Sequence, residues 1–283
     1  MPPQSQQVNP SFNIRSAGIY TESAQLFIEA GPMGISLAVL NTGDSFQAVA
    51  TYSFSGQLNE LQTAEKMKKI LQDDELLQRS FAKSHLIWSY PESILVPPNL
   101  VNTESNTEMF DLVYGDAQKA VIKSDFLYKH NLHNIYRIPE TVADYFAAKF
   151  PYATQTHQYS LLVNREMNYG EDELFVVFYS NSLTMMLCKG GRLQVIQNFG
   201  FSSPEDTAYH LLNVCRSFDV EPTKVKLHIN GMIDERSNLY TAIYKYFLHI
   251  EFDKLPGNYT YAEEIKEHPS HFFSHLFALA ACV

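Results

Sequence analysis

The chain has 283 residues, 45% of them apolar and 18% charged; this is enough apolar material to offset the ordering entropy of a core, and it excludes disorder as the overall state. Lysine and arginine number 21 against 31 acidic residues, a net charge of −10, which repels a phosphate backbone and disfavours nucleic acid as a partner. Only 12 residues are glycine, so material is scarce for the glycine loops that let phosphates approach backbone amides.

Residues 1–11, with Pro2, Pro3 and Pro10, read as a disordered tail. They lack the basic patch and apolar stretch of a signal peptide, so the expected location is the cytoplasm. Cys188, Cys215 and Cys282 are too few and too far apart for a disulfide framework or a paired metal clip. No apolar run reaches the roughly 18 residues of a membrane span, so no membrane insertion is expected.

In chain order, Leu26 to Ile28, Ile35 to Leu40 and Phe46 to Phe54 are rich in β-branched and aromatic residues. Gly31-Pro32 and Asn41-Thr42-Gly43-Asp44 separate them, as in an antiparallel meander. Leu58, Leu61, Ala64, Met67 and Ile70 then recur with helical spacing among charged residues, and Asp73-Asp74-Glu75 reads as a solvated helix end. Ser84 to Tyr90 reads as a further strand, with Ser93 to Val96 as its continuation until Pro97-Pro98 stops it. Met109 to Tyr114 suits a helix. Ala120 to Leu127 and Asn134 to Ile138 look extended, and Pro139 at a first helical position opens Glu140 to Phe150.

The second half repeats the plan. Phe175 to Tyr179, Leu183 to Cys188 and Leu193 to Phe199 form three strands, with Lys189-Gly190-Gly191 as a tight turn. Ser203-Pro204-Glu205-Asp206 is a helix start, with a capping serine, a proline at the first position and acids in the first turn. Val225 to Ile229, Ser237 to Leu248 and His249 to Phe252 complete the order β-β-β-α-β-α-β. The chain is therefore expected to be α/β, two tandem ribonuclease-H-like subdomains of the actin-like type, each a mixed five-stranded sheet with flanking helices. The lobes span 12–152 and 153–283, and a C-terminal helix packs back.

Ile35 to Phe54, Phe150-Pro151 with His157, Asn198-Phe199, Glu205 to Tyr209 and His228 to Ile233 resemble an uncharacterised Bacteroidetes family, domain of unknown function 3822, over nearly the whole chain from about Phe12. That resemblance implies a divergent actin-like ATPase fold, similar to cytoplasmic assembly proteins of type IV pili and type II secretion. It implies no activity, because function belongs to a site and not to a fold.

Proteins of that fold hold phosphates on two hairpin turns with an aspartate and small residues, and receive the adenosine at a glycine pair. The resemblance places the first turn at Asn41, Thr42, Gly43 and Asp44, the second at Tyr179 to Ser182 with Asn181 in place of an acid, and the glycine motif at Asn230-Gly231. Asparagine stands where Mg²⁺ would want a carboxylate, and the second turn has neither acid nor glycine. These seven residues, Asn41, Thr42, Gly43, Asp44, Asn181, Asn230 and Gly231, are the candidate cofactor contacts. No catalytic residue is assigned, and an active ATPase is not expected.

His268, His271, His275 and Cys282 share helical spacing, yet they border an apolar docking helix more than they suggest zinc. His157 reads as a hydrogen-bonded linker histidine, and Glu205 and Asp206 as helix-start acids. The resulting expectation is a non-catalytic module that binds a protein or peptide and has a degenerate nucleotide cleft. The alternative is a nucleotide-binding switch with little hydrolysis. No cofactor is expected, Mg-ATP being the one the fold would bring, and self-association is left open.

Overall fold

The computed structural model describes residues 8–280 except 55, 57, 118, 166, 167 and 169. The described residues form two compact units, one from Met1–Ser160 with Asn258–Glu267 and one from Leu161–Gly257 with His268–Val283.

In the first unit, strands β1 (Phe12–Arg15), β2 (Gln25–Gly31), β3 (Gly34–Leu40) and β4 (Ser45–Ser53) precede helix α1 (Glu60–Asp73) and strand β5 (Lys83–Trp88). Next come β6 (Ser93–Val96), α2 (Thr103–Tyr114), β7 (Ala120–Leu127), β8 (Leu132–Pro139), α3 (Glu140–Lys149), β9 (Thr154–His157) and α4 (Gln158–Val163). The second unit contains β10 (Glu173–Phe178), β11 (Ser182–Lys189), β12 (Arg192–Gly200), α5 (Pro204–Ser217), β13 (Lys226–Gly231), α6 (Asn238–Tyr244) and β14 (His249–Phe252). The chain ends with β15 (Thr260–Tyr261), α7 (Glu263–Lys266) and α8 (His271–Ala280).

The two units share one sheet order, β4-β3-β2-β5-β9 in the first and β12-β11-β10-β13-β14 in the second. In both, the three-strand meander is antiparallel, and the fourth and fifth strands run parallel to the first. Two strands extend the first sheet beyond the five expected, since β1 pairs with β4 antiparallel and β15 pairs with its start. One face of each sheet makes a core with the crossover helices. Leu26, Ile28, Leu37 and Val39 meet Met67, Ile70, Val142 and Phe146 in the first unit, and Leu174, Val176, Met185 and Ile229 meet Leu211, Cys215, Ile243 and Phe247 in the second. Each such side chain, fully buried, contributes about 1.5–3 kcal/mol.

Local signals explain the helix starts. Asn59 and Gln62 form a reciprocal capping box on α1, and Ser203 and Asp206 form one on α5 with Pro204 at the first position. Three details differ from the sequence expectation. Ser93–Val96 is not a continuation of β5 but the edge of a separate three-stranded sheet, β6-β8-β7, inserted into the first unit with α2. Its core is Val96, Phe110 and Ile135. Pro139 ends β8 and caps α3 instead of occupying its first turn.

Asp74 is the third difference, because it is buried where a solvated helix end was expected. Its Oδ1 accepts from the Leu76 and Leu77 amides at 2.7 and 3.2 Å, and its Oδ2 accepts from the Tyr52 hydroxyl and from Arg15 Nη2 at 2.8 Å. The carboxylate ties β1, β4 and the end of α1 together. Burial, and then the adjoining Asp74 carboxylate, raise the Tyr52 phenol well above its ordinary range.

Candidate functional site

The first candidate turn is built by an asparagine that uses its own side-chain oxygen. Asn41 Oδ1 accepts from Gly43 N at 2.9 Å and Ser45 N at 3.1 Å, and Asn41 N donates to Ser45 O at 3.0 Å. This is the side-chain turn that asparagine favours between strands. Two backbone donors of the kind that would greet a phosphate are therefore already occupied. Asp44 takes a positive φ of 51°, and its carbonyl accepts from Thr260 N at 2.9 Å, so this residue anchors the approach of β15.

The duplication also shows that Asn41–Asp44 and Tyr179–Ser182 are not equivalent turns. Tyr179 to Asn181 connect β10 to β11, the first and second strands of their meander, and the matching connection in the first unit is Pro32-Met33 between β2 and β3. Asn41 to Asp44 connect the second and third strands, and their counterpart is Gly190-Gly191. The two candidate turns therefore hold different places in the duplicated meander. Gly31 at the matching hairpin is constrained by its neighbour, since a Cβ there would lie 2.3 Å from Ser89 Oγ and 2.8 Å from Ser89 O.

In the second unit, Tyr179 N donates to Ser182 O and Phe201 N to Asn181 O, closing that turn. Among the described residues Asn181 Oδ1 and Ser182 Oγ are buried without a hydrogen-bond partner. Asn230, 1% exposed, donates from Nδ2 to Asp253 Oδ2 at 2.8 Å, while its Oδ1 has no partner among the described residues. Asp253 also accepts from Arg165 Nη1 at 3.1 Å, and the Arg165 guanidinium lies 4.8 Å from the Phe175 ring. Asn230 is thus a brace for the end of β14.

Gly231 has φ +85°, and a Cβ there would sit 2.2 Å from Phe178 O. Met232 N donates to that same carbonyl at 2.8 Å. The glycine is therefore required by the close approach of β13 to β10. Gly231→Ala is expected to cost about 2 kcal/mol through strain at a left-handed position, a loss that urea unfolding of the purified protein would register.

Helix α8 packs against β13. His271 Nε2 donates to Ile233 O at 2.7 Å, and the His275 ring meets Tyr179 edge-on at 6.0 Å. His268 packs edge-on to Phe273, and Cys282 lies outside the described residues. Among the described residues no group of three or more His, Cys, Asp or Glu could hold a metal ion. Burial pushes the Cys188 and Cys215 thiols up to about 12 and about 11, far from a reactive thiolate. Asp206 accepts from the Ser202 and Ser203 amides, and these bonds hold its carboxyl below the usual range, as a capping residue requires.

His157 is not a linker residue. It closes β9 and is fully buried. Nε2 donates to Tyr90 O at 2.9 Å, and Nδ1 accepts from Tyr159 N at 3.1 Å. Beside it, Asp125 Oδ2 accepts from His157 N, Thr156 Oγ1 and Ser160 Oγ at 2.8, 3.0 and 2.6 Å.

A second histidine pattern escaped the sequence reading. His85 stacks on Phe27 with ring centroids 4.7 Å apart, and His228 stacks on Phe175 at 4.6 Å, on equivalent pairs of parallel strands. The available signal was the match of Gln25-Leu26-Phe27-Ile28 to Glu173-Leu174-Phe175-Val176. Gln25 reaches His85 Nε2 and Glu173 reaches His228 Nε2, so polar partners were also retained across the duplication.

The first unit also holds a cavity of about 250 Å³ where the inserted sheet meets the parent unit. Pro32, Leu58, Tyr90 and Pro139 supply apolar walls, and Glu60 and Arg137 supply charge. Arg137 is held by Glu92 and lies 5.4 Å from the Phe110 ring.

Two units of one ribonuclease-H-like order in tandem define the actin-like ATPase fold, and the solved structures agree. A protein from Bacteroides thetaiotaomicron VPI-5482 with actin-like ATPase fold and unknown function matches with a TM-score of 0.75 at 16% identity, covering 93% of this chain and 97% of that one. The PilM–PilN type IV pilus biogenesis complex matches with a TM-score of 0.61 at 12% identity, covering 91% and 97%. Residues 17–250 match the family model described as "Protein of unknown function (DUF3822)", and the chain belongs to that family. Among curated proteins none matches. No helix among the described residues is long and apolar enough to cross a membrane.

Proposed function

We propose that this chain is a non-catalytic, actin-like module that binds a protein or peptide, its nucleotide turns having been given over to structure. The carrying observation is that groups at the first candidate turn and at the end of β13 bond inward. Asn41 Oδ1 holds Gly43 N and Ser45 N, Asn230 Nδ2 holds Asp253, and Gly231 makes room for Phe178. No side chain stands assigned to orient or deprotonate an attacking water, which phosphoryl transfer requires. The PilM structure, solved in complex with PilN, supports a protein partner by likeness of fold. A surface that suits such a partner is the cavity of the first unit, whose lining mixes apolar walls with charge.

A second reading, a nucleotide-binding switch with little hydrolysis, has one observation in its favour. Among the described residues Asn181 Oδ1, Ser182 Oγ and Asn230 Oδ1 are buried acceptors without partners near the carboxyl end of the second sheet, where α/β sheets bind ligands. Thermal unfolding against Mg-ATP, Mg-ADP and Mg-GTP separates the readings. The expected result is no stabilisation, whereas a nucleotide at a hundredfold its Kd would add about 2.7 kcal/mol. Such a gain would establish the switch, and Mg-ATP turnover that disappears in Asp44→Ala would overturn the non-catalytic reading.

A further inference from the structure

The duplication exposes an asymmetry between the two third strands of the meanders. In the first unit, β4 is covered along Ala48 to Thr51 by β1 and at Ser45 and Phe46 by β15. In the second unit, the corresponding strand β12 pairs only with β11 among the described residues. Every second residue of β12 therefore turns its amide and carbonyl to an edge that no strand covers among the described residues. An open edge usually carries a guard, such as a charge, a proline or a short length. Here Arg192 is the one charged residue of Arg192–Gly200, proline is absent from the strand, and the register irregularity and the Gln194 Nε2 bond to Arg192 O protect only its first residues. At the far end His210 stacks on Phe199 at 4.7 Å and its Nε2 donates to Gly200 O at 3.1 Å, so the regular stretch without such a guard is Val195 to Asn198.

The run from Val195 to Phe199 is complementary to itself. When two copies pair antiparallel about Gln197, Val195 of each lies opposite Phe199 of the other, Ile196 lies opposite Asn198, and Gln197 meets Gln197. The Val195–Phe199 pairs are of the β-branched and aromatic kind that stabilises antiparallel sheets, and no like charges face each other. Both side chains are half-buried and pack on the second unit's core, so the new contacts continue an existing apolar surface.

We propose that the β12 edge is a homodimer interface, in which two copies of this chain join their second-unit sheets antiparallel with Gln197 on the two-fold axis. The occupant is a second copy because the edge satisfies its own pattern of apolar and uncharged residues, and an isologous interface needs that self-complementarity.

Sedimentation of the full chain over a range of concentrations tests it. Gln197 is exposed, so Gln197→Glu and Gln197→Lys should both keep the fold, which circular dichroism would verify. The wild type is expected to show a concentration-dependent dimer, and Gln197→Glu alone should raise the dimer Kd about tenfold or more by opposing two carboxylates. An equimolar mixture of Gln197→Glu with Gln197→Lys should recover the dimer, since opposite charges then meet at the axis. A wild type that stays monomeric up to about 200 μM overturns the proposal. So does a Gln197→Glu dimer as tight as wild type, or a mixture that fails to recover.

Discussion

Asp74→Ala is expected to destabilise the first unit by about 3–5 kcal/mol, the range for breaking a buried charged network by removing one partner. The carboxylate side chain is fully buried, and Arg15 beside it is mostly buried. Removing it leaves the Leu76 and Leu77 amides, the Tyr52 hydroxyl and the Arg15 guanidinium without the acceptor they share. Each stranded donor carries its own desolvation penalty. Two companion variants fix the interpretation. Tyr52→Phe removes one donor to the charged group and should cost about 2 kcal/mol. Glu75→Ala, whose partner contact to Arg15 is 3.9 Å and whose side chain is 85% exposed, should fall within about 0.5 kcal/mol of wild type. Urea unfolding followed by tyrosine or tryptophan fluorescence measures all three, and an Asp74→Ala loss no larger than that of Glu75→Ala would show that the network contributes nothing.

Asp74 also shows where local sequence stops being informative. Asp73-Asp74-Glu75 has the composition of a solvated helix end, and two of its three residues are exposed. What buries the middle one is Arg15, 59 positions earlier, and Tyr52 on a neighbouring strand. The elements that were legible carry local physics: the capping box at Ser203, the alternation and turns of both meanders, and the apolar stripes of α1 and α5. Those that were not legible depend on partners distant in sequence. Ser93–Val96 looks like the tail of β5 until β8, about 40 residues on, claims it. β9 is Thr-Gln-Thr-His, without apolar alternation, and only its parallel neighbour β5 makes it a strand.

The candidate site divides in the same way. The resemblance placed the first turn at Asn41-Thr42-Gly43-Asp44, and topology shows that its place in the meander does not match that of Tyr179–Ser182. That asparagine stands at 41, 181 and 230 could be read directly. The inward bond of Asn230 could not, because Asn230 meets Asp253 only through the parallel pairing of β13 with β14. The position at Asn230 is thus not vacant, and an aspartate there would remove the Nδ2 donor that holds Asp253.

Lowering the pH from 6.5 to 4 is expected to remove about 3 kcal/mol of stability through His157 alone. Burial lowers its pKa from 6.5 to about 4, against the opposing pull of the Tyr90 carbonyl, Asp125 and Glu29. The ring is neutral in the folded chain, with its proton on Nε2 toward Tyr90 O and Nδ1 taken by Tyr159 N–H. Protonating Nδ1 would break that second bond and place a charge in a fully buried position. The unfolded chain therefore takes up the proton first as the pH falls below about 6.5, and stability rises with pH wherever the unfolded state holds more protons. The contribution is fully present above pH 6.5 and is lost progressively down to about pH 4, a span of about 2.5 pH units, at 1.36 kcal/mol for each. Other groups also respond to acid in this range, notably His85, whose pKa burial lowers as well. The readout is therefore the difference between wild type and His157→Gln. The variant should be less stable at neutral pH, and it should lose about 3 kcal/mol less than wild type between pH 6.5 and 4. Parallel stability curves for the two proteins across that range would mean that His157 already carries its proton in the folded chain.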